Sequence, residues 1–159
     1  MTWQEVLSDP SLQNLPYKIE LNQKGKIEMS PASNRHGWLQ AKIIALLSRL
    51  QAQGTVLSEC SIETTAGVKV ADVVWFSQEF WNTHVFETPF TAAPEICIEI
   101  ISPSNFKKEI REKIELYTNQ GALEVWTCDL QGEMVFYNVK NTLEKSSLIA
   151  DFPKQLEVI

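Results

Sequence analysis

Hydrophobic positions change their period several times along the chain, and each change marks an expected element. Tyr17 to Leu21 and Lys26 to Met29 flank Asn22-Gln23-Lys24-Gly25, a turn-forming tetrad, so a β-hairpin is expected there. From Leu39 the period becomes helical, with Leu39, Ile43, Leu46, Leu47 and Leu50 recurring at i, i+4, i+7, i+8 and i+11. Ser33 or Asn34 can cap this helix, and Gly54 reads as its left-handed C-terminal residue.

Val56 to Glu59, Ser61 to Thr65 and Val68 to Phe76 read as successive short strands broken near Gly67, with a short helix or loop over Gln78 to His84. Glu95 to Ile101 is an apolar, β-branched run bounded by Pro94 and Ser102-Pro103, which places it in a sheet interior. A second helix is expected from a cap at Ser104 or Asn105 to about Asn119, ended by Gly121. Leu123 to Cys128 and Met134 to Val139 read as strands joined across Leu130-Gln131-Gly132, while Asn141 to Ile159 carries no decisive pattern.

Composition narrows the class. The 159 residues are 44% hydrophobic and 21% charged, a globular balance for one core over residues 1–159, with no repeat, linker or charge block dividing it. Met1 to Pro10 has no apolar run behind basic residues, so neither a signal peptide nor a transmembrane helix is expected, and a cytoplasmic protein is. Cys60, Cys97 and Cys128 are odd in number and scattered, which points to reduced, buried thiols; no His or Cys partners stand at zinc-ligand spacing. The net charge of −6 argues against holding duplex nucleic acid by bulk electrostatics, although a site for a divalent cation must itself be acidic. There is no phosphate-binding glycine loop, dinucleotide turn or nucleophile elbow.

Three charged residues stand out against this background. Glu99 shares one face of its strand with Cys97 and Ile101, while Ile96, Ile98 and Ile100 share the other. A carboxylate in that setting is costly unless it is paired, hydrogen-bonded or bound to a cation, and a glutamate reaching solvent or a structural Lys or Arg explains it equally well. Asp72 lies between Val68-Lys69-Val70-Ala71 and Val73-Val74-Trp75-Phe76, where a strand disfavours Asp and local backbone N–H groups are the simpler partners. Together, two carboxylates on neighbouring strands form a hard-oxygen donor set of the kind magnesium takes alongside water and phosphate.

Lys113 falls on the apolar arc of the second helix beside Phe106 and Tyr117, with Lys107, Lys108, Arg111, Glu112 and Glu115 on the opposite side. Two accounts fit it: an i, i+4 pair with Glu109, or a cation leaning toward the sheet to stabilise a phosphoryl transition state. Glu28 lies in the hairpin before Ser30-Pro31. His36 lies on the apolar arc of the first helix, where a lone histidine is more often a core-edge residue than a base.

The segments Glu28-Met29-Ser30-Pro31 with His36, Val70-Ala71-Asp72-Val73-Val74 and Glu99-Ile100-Ile101-Ser102-Pro103-Ser104 follow in a specific order and spacing. With Lys113 to Tyr117, Gly121, Glu124-Val125-Trp126 and Asp129, that order resembles the Uma-two family of restriction-endonuclease-like proteins, within the PD-(D/E)XK nuclease superfamily. The resemblance covers nearly the whole chain from about Tyr17. It implies an α/β (α+β) fold, a restriction-endonuclease-like mixed sheet flanked by helices, with the catalytic Asp and Glu on adjoining strands. It further implies Asp72 and Glu99 as metal ligands, the backbone carbonyl of Ile100 as an additional oxygen, Glu28 as an auxiliary acid from the hairpin, and magnesium or manganese as cofactor. Ala71 replaces the motif proline. Ile101 stands where the superfamily places its lysine, and the resemblance makes Lys113 the substitute.

The expectation is therefore a magnesium-dependent endonuclease hydrolysing DNA phosphodiester bonds, with DNA inferred from the resemblance alone. The alternative is a nuclease-fold module without catalysis that serves in binding or assembly, motivated by the acidic charge and by Ile101. Removing Asp72 or Glu99 is expected to relieve carboxylate repulsion and raise stability in metal-free buffer. A homodimer is open, since Trp75, Phe76, Phe80 and Trp81 crowd one window, either as an exposed associating patch or as core filling.

Overall fold

The elements in chain order are α1 (Trp3–Ser8), β1 (Tyr17–Leu21), β2 (Ile27–Pro31), α2 (Asn34–Leu50), β3 (Thr55–Thr64), β4 (Gly67–Phe76) and α3 (Gln78–His84). They continue with β5 (Ile96–Ile100), α4 (Lys107–Asn119), β6 (Glu124–Cys128), β7 (Met134–Tyr137) and β8 (Thr142–Leu143). The structure, a computed structural model, describes residues 1–103, 105 and 107–158. Ser104, a candidate cap of α4, and Phe106, on its expected apolar arc, lie outside the described residues.

Helix starts have local chemical causes. Thr2 and Glu5 satisfy each other's backbone N–H groups in a capping box, which begins a helix that the periodicity did not announce. Ser33 accepts the His36 N–H at 3.1 Å at the start of α2, and Ser77 accepts the Phe80 N–H at 3.1 Å at the start of α3. Helix α2 ends at Leu50 with Gln51 as its cap. Gly54 is not its terminus: at φ +89° it turns the chain into β3, where a Cβ would strike the Trp75 ring and the Phe76 carbonyl.

The two short strands expected between Val56 and Thr65 are one strand. Its register with β4 is constant from Thr55↔Phe76 to Thr64↔Gly67, and only the pair Glu59–Asp72 is skipped, with Glu59 at φ +52°. Strands β3-β4-β5-β6-β7-β8 form one mixed sheet, parallel at β5–β6 and antiparallel elsewhere, with β5 in the interior; β1 and β2 form a separate hairpin. A mixed sheet flanked by helices is the fold that the resemblance implied.

Alternation along β5 divides the core. Ile96, Ile98 and Ile100 pack with Leu39, Ile43 and Leu47 of α2 and with Trp126 and Phe136, while Cys97 packs with Phe76, Tyr117 and Val125 in a second cluster. Each fully buried aliphatic side chain contributes about 1.5–3 kcal/mol, so these faces carry most of the stabilisation. In the stretch after Asn141, which lacked a pattern, Ile149, Phe152 and Leu156 close the first cluster. Trp75 and Phe76 are buried in the core, and the partly buried Phe80 and Trp81 pack against Phe76 at ring-centroid distances of 5.5 and 5.7 Å. Among the described residues no helix is long and apolar enough to cross a membrane. The three cysteines are free and buried, and burial pushes the Cys60 and Cys128 thiols up to about 12.

Candidate active site

The site begins where two strands part. β4 and β5 pair only at Val73↔Ile98, Val74↔Cys97 and Trp75↔Ile96. In the gap beyond, the Asp72 carboxylate takes the place of a backbone partner, and its Oδ2 accepts the Ile100 N–H at 2.7 Å. On the other edge the Asp72 carbonyl, skipped by the β3 ladder, accepts Gln40 Nε2 of α2 at 2.7 Å. The same amide donates to Glu59 Oε1 at 2.7 Å, so the break at Glu59 and the buried side of α2 together position Asp72.

Alternation along β1 brings Lys18 and Glu20 to the same gap. Lys18 Nζ lies 3.1 Å from Asp72 Oδ1 and 3.0 Å from Glu99 Oε2. Lys113 Nζ, from α4, lies 3.1 Å from Glu99 Oε1 and 2.8 Å from Glu20 Oε2. Tyr117, one turn further along α4, donates its hydroxyl proton to Glu99 Oε1 at 2.6 Å. Glu20 Oε2 also accepts the Val70 N–H at 2.7 Å, an amide of β4 that lies beyond its pairing with β5. His36 Nε2 lies 3.4 Å from Asp72 Oδ2, and its buried Nδ1 has no partner among the described residues.

The electrostatics follow from burial opposed by pairing. Burial raises the Asp72 pKa, but the His36 and Lys18 contacts and the Ile100 N–H outweigh it and hold the carboxyl well below the usual range. Burial lowers that of Lys18, yet Glu99, Asp72 and Glu20 together raise it above an ordinary lysine. Glu20 is likewise lowered, with Lys113 and Lys18 overcoming desolvation. The bond to Asp72 raises His36. Tyr117 is raised well above an ordinary phenol by burial and by the Glu99 charge beside it.

Residues 3–154 match the Uma2 family, described as "Putative restriction endonuclease". The chain belongs to the Uma2 family. This Uma2 chain is also similar to a solved structure described as a putative nuclease belonging to DUF820 from Anabaena variabilis ATCC 29413. The TM-score is 0.66 and the identity 20%, over 90% of this chain and 83% of that one, a likeness of fold. No curated protein matches.

In this Uma2 fold Asp72, Glu99 and Lys113 come together, and Glu28 stands apart. Glu28 pairs across the hairpin with Glu20, is 52% exposed, and lies 3.7 Å from Lys69 at the mouth of a cleft of about 1530 Å³. The hairpin carboxylate that touches the cluster is Glu20. Ile100 contributes its N–H as an orienting donor to Asp72, and the Ile101 N–H is taken by the Cys128 carbonyl at 2.8 Å. Glu109 accepts from Asn105 Nδ2 at 3.2 Å, so the i, i+4 account of Lys113 gives way to its bonds with Glu20 and Glu99. Sequence reading missed Lys18 and Glu20. Their one signal is that two charges share a face of a short strand whose other face carries Ile19 and Leu21.

The resemblance read from the sequence implies a divalent metal. Among the described residues no three His, Cys, Asp or Glu side chains could hold a metal by themselves. Asp72 Oδ1 and Glu99 Oε2 nevertheless converge on one cation, the Lys18 ammonium. Two convergent hard oxygens, with water and phosphate supplying the rest, fit magnesium or manganese.

Proposed function

We propose that this Uma2 protein is a metal-dependent endonuclease that hydrolyses DNA phosphodiester bonds. The observation that carries the reading is the convergence of Asp72 Oδ1 and Glu99 Oε2 on a single point at the cleft, with the Lys113 ammonium on the other Glu99 oxygen. Asp72 and Glu99 would hold magnesium or manganese, with the Ile100 carbonyl as a further oxygen. When bound, the ion supplies Lewis-acid polarisation and neutralises charge on the phosphodiester.

The chain's own groups divide the remaining work. Tyr117 and the Ile100 N–H each fix one oxygen of a ligand carboxylate, so Glu99 and Asp72 are held in place before substrate arrives. Lys113, anchored by Glu20, sets its ammonium on the other oxygen of Glu99, where it could orient water and stabilise charge developing on phosphate oxygens. Glu28 stands at the mouth, where it can act as an auxiliary acid on water entering the cleft.

Incubation of supercoiled plasmid with the parent, Glu99→Gln and Lys113→Met proteins over a magnesium and manganese series tests the reading. The parent nicks plasmid only with metal, and each variant loses activity on the order of 10²- to 10³-fold. Undiminished nicking by Glu99→Gln overturns it. If all three proteins are inert while metal still raises the parent's Tm, the chain is a nuclease-fold module without catalysis.

A further inference from the structure

Each candidate ligand carboxylate divides its oxygens between two tasks. Asp72 Oδ2 is committed to the Ile100 N–H at 2.7 Å, with His36 Nε2 at 3.4 Å. Glu99 Oε1 is committed to the Tyr117 hydroxyl at 2.6 Å and to Lys113 Nζ at 3.1 Å. The oxygens left over, Asp72 Oδ1 and Glu99 Oε2, meet at Lys18 Nζ, 3.1 and 3.0 Å away. An ammonium there satisfies two buried anions that would otherwise repel each other. It also stands where a divalent ion bridging the same two oxygens would have to stand, and two cations cannot share the point.

The two lysines of the site differ in one respect. Lys113 has an acceptor of its own in Glu20, 2.8 Å away, which a metal between Asp72 and Glu99 would leave in place. Among the described residues, both acceptors of Lys18 are the proposed ligand carboxylates themselves. Its unbranched four-carbon stem starts from β1 beside Tyr17, which is 46% exposed, and lines the cleft, so its head group has open space to enter.

We propose that Lys18 is a resident counter-ion of the metal site, one that stabilises the metal-free fold and must be displaced for a divalent cation to bind. The inference rests on the reading of Asp72 and Glu99 as metal ligands. Lys18 thereby sets a threshold: the site fills only when metal outcompetes an internal cation present at a fixed, high effective concentration.

The test uses the full chain without DNA. Manganese and magnesium binding are measured by calorimetry, and Tm is measured in EDTA and in metal, for the parent, Lys18→Met, Lys18→Arg and the double variant Lys18→Met/Glu99→Gln. Lys18→Met keeps the stem and removes the charge. It melts below the parent in EDTA, binds manganese at least about tenfold more tightly, and shows a larger Tm rise with metal. The double variant loses that gain, which assigns it to this site. Lys18→Arg keeps a cation that grips carboxylates through a planar fork, and it binds metal more weakly than the parent. It also serves if Lys18→Met does not fold. Equal or weaker metal binding by Lys18→Met, or undiminished binding by Lys18→Arg, overturns the proposal while leaving the metal site intact. Absence of metal binding in parent and Lys18→Met alike overturns the nuclease site reading and this inference with it.

Discussion

Tyr117 is fully buried on α4 and donates its hydroxyl proton to Glu99 Oε1 at 2.6 Å, tying the helix to the central strand β5 through the Glu99 carboxylate. A neutral donor bonded to a buried anion is worth more than an ordinary hydrogen bond, about 1.5–3 kcal/mol. Tyr117→Phe should lower unfolding stability by about that amount in urea titrations, with the slope unchanged. An unshifted midpoint would mean that Glu99 finds a replacement donor at no cost.

The pairing of Asp72 reverses an expectation drawn from charge alone. Two carboxylates facing each other would gain stability from the loss of one, but here Lys18 bridges them and the Ile100 N–H adds a second donor to Asp72. Breaking a buried ion pair strands the remaining charge and costs about 3–5 kcal/mol. Asp72→Asn should therefore melt below the parent in EDTA, and a higher Tm would show that repulsion dominates after all.

Gly67 holds the hairpin against the sheet. At φ +94° it admits the backbone of Leu21 and Asn22 so closely that a Cβ would overlap both. Gly67→Ala should destabilise the fold by at least about 1 kcal/mol from the backbone conformation alone, and the overlap should shift β1 outward. Since the Val70 N–H donates to Glu20 of β1, its hydrogen-exchange protection is the specific readout and should fall. Retained protection would place the strain elsewhere.

Glu124 is buried in β6, yet its carboxylate accepts from Trp126 Nε1 at 2.7 Å, Ser146 Oγ at 2.7 Å and the N–H groups of Ser147 and Leu148 at 2.7 and 3.2 Å. Glu124→Gln turns one acceptor oxygen into a donor facing donors, at a cost of about 1–3 kcal/mol. Thermal melting should show the loss, while the proposed plasmid cleavage, which would not use this network, should proceed at the parent's rate at low temperature. A variant as stable as the parent would mean that the amide finds compatible partners.

Local patterns in the chain determined much of the architecture. The hairpin around Asn22 to Gly25, helix α2 and the interior strand β5 are each written in a period or a turn that responds to neighbours a few residues away. Asp72, Glu99 and Lys113 were legible for a related reason: charge set into apolar runs is costly, and cost marks a position before its partner is known. The capped helix α1 and the tail from Asn141 were not legible, the first because it is a single short turn-and-a-half, the second because Ile149, Phe152 and Leu156 are spaced by the surface they cover and not by a regular element. Lys18 and Glu20 lay beyond local reading as well. Their partners are 54, 81 and 93 residues away in sequence, and a strand with charges on one face reads as solvated until the fold supplies the opposing carboxylates and lysine. Periodicity records which side of an element is buried, whereas the identity of an ion-pair partner depends on which strands part and which hairpin closes over the gap, and only the packed tertiary structure sets those distances.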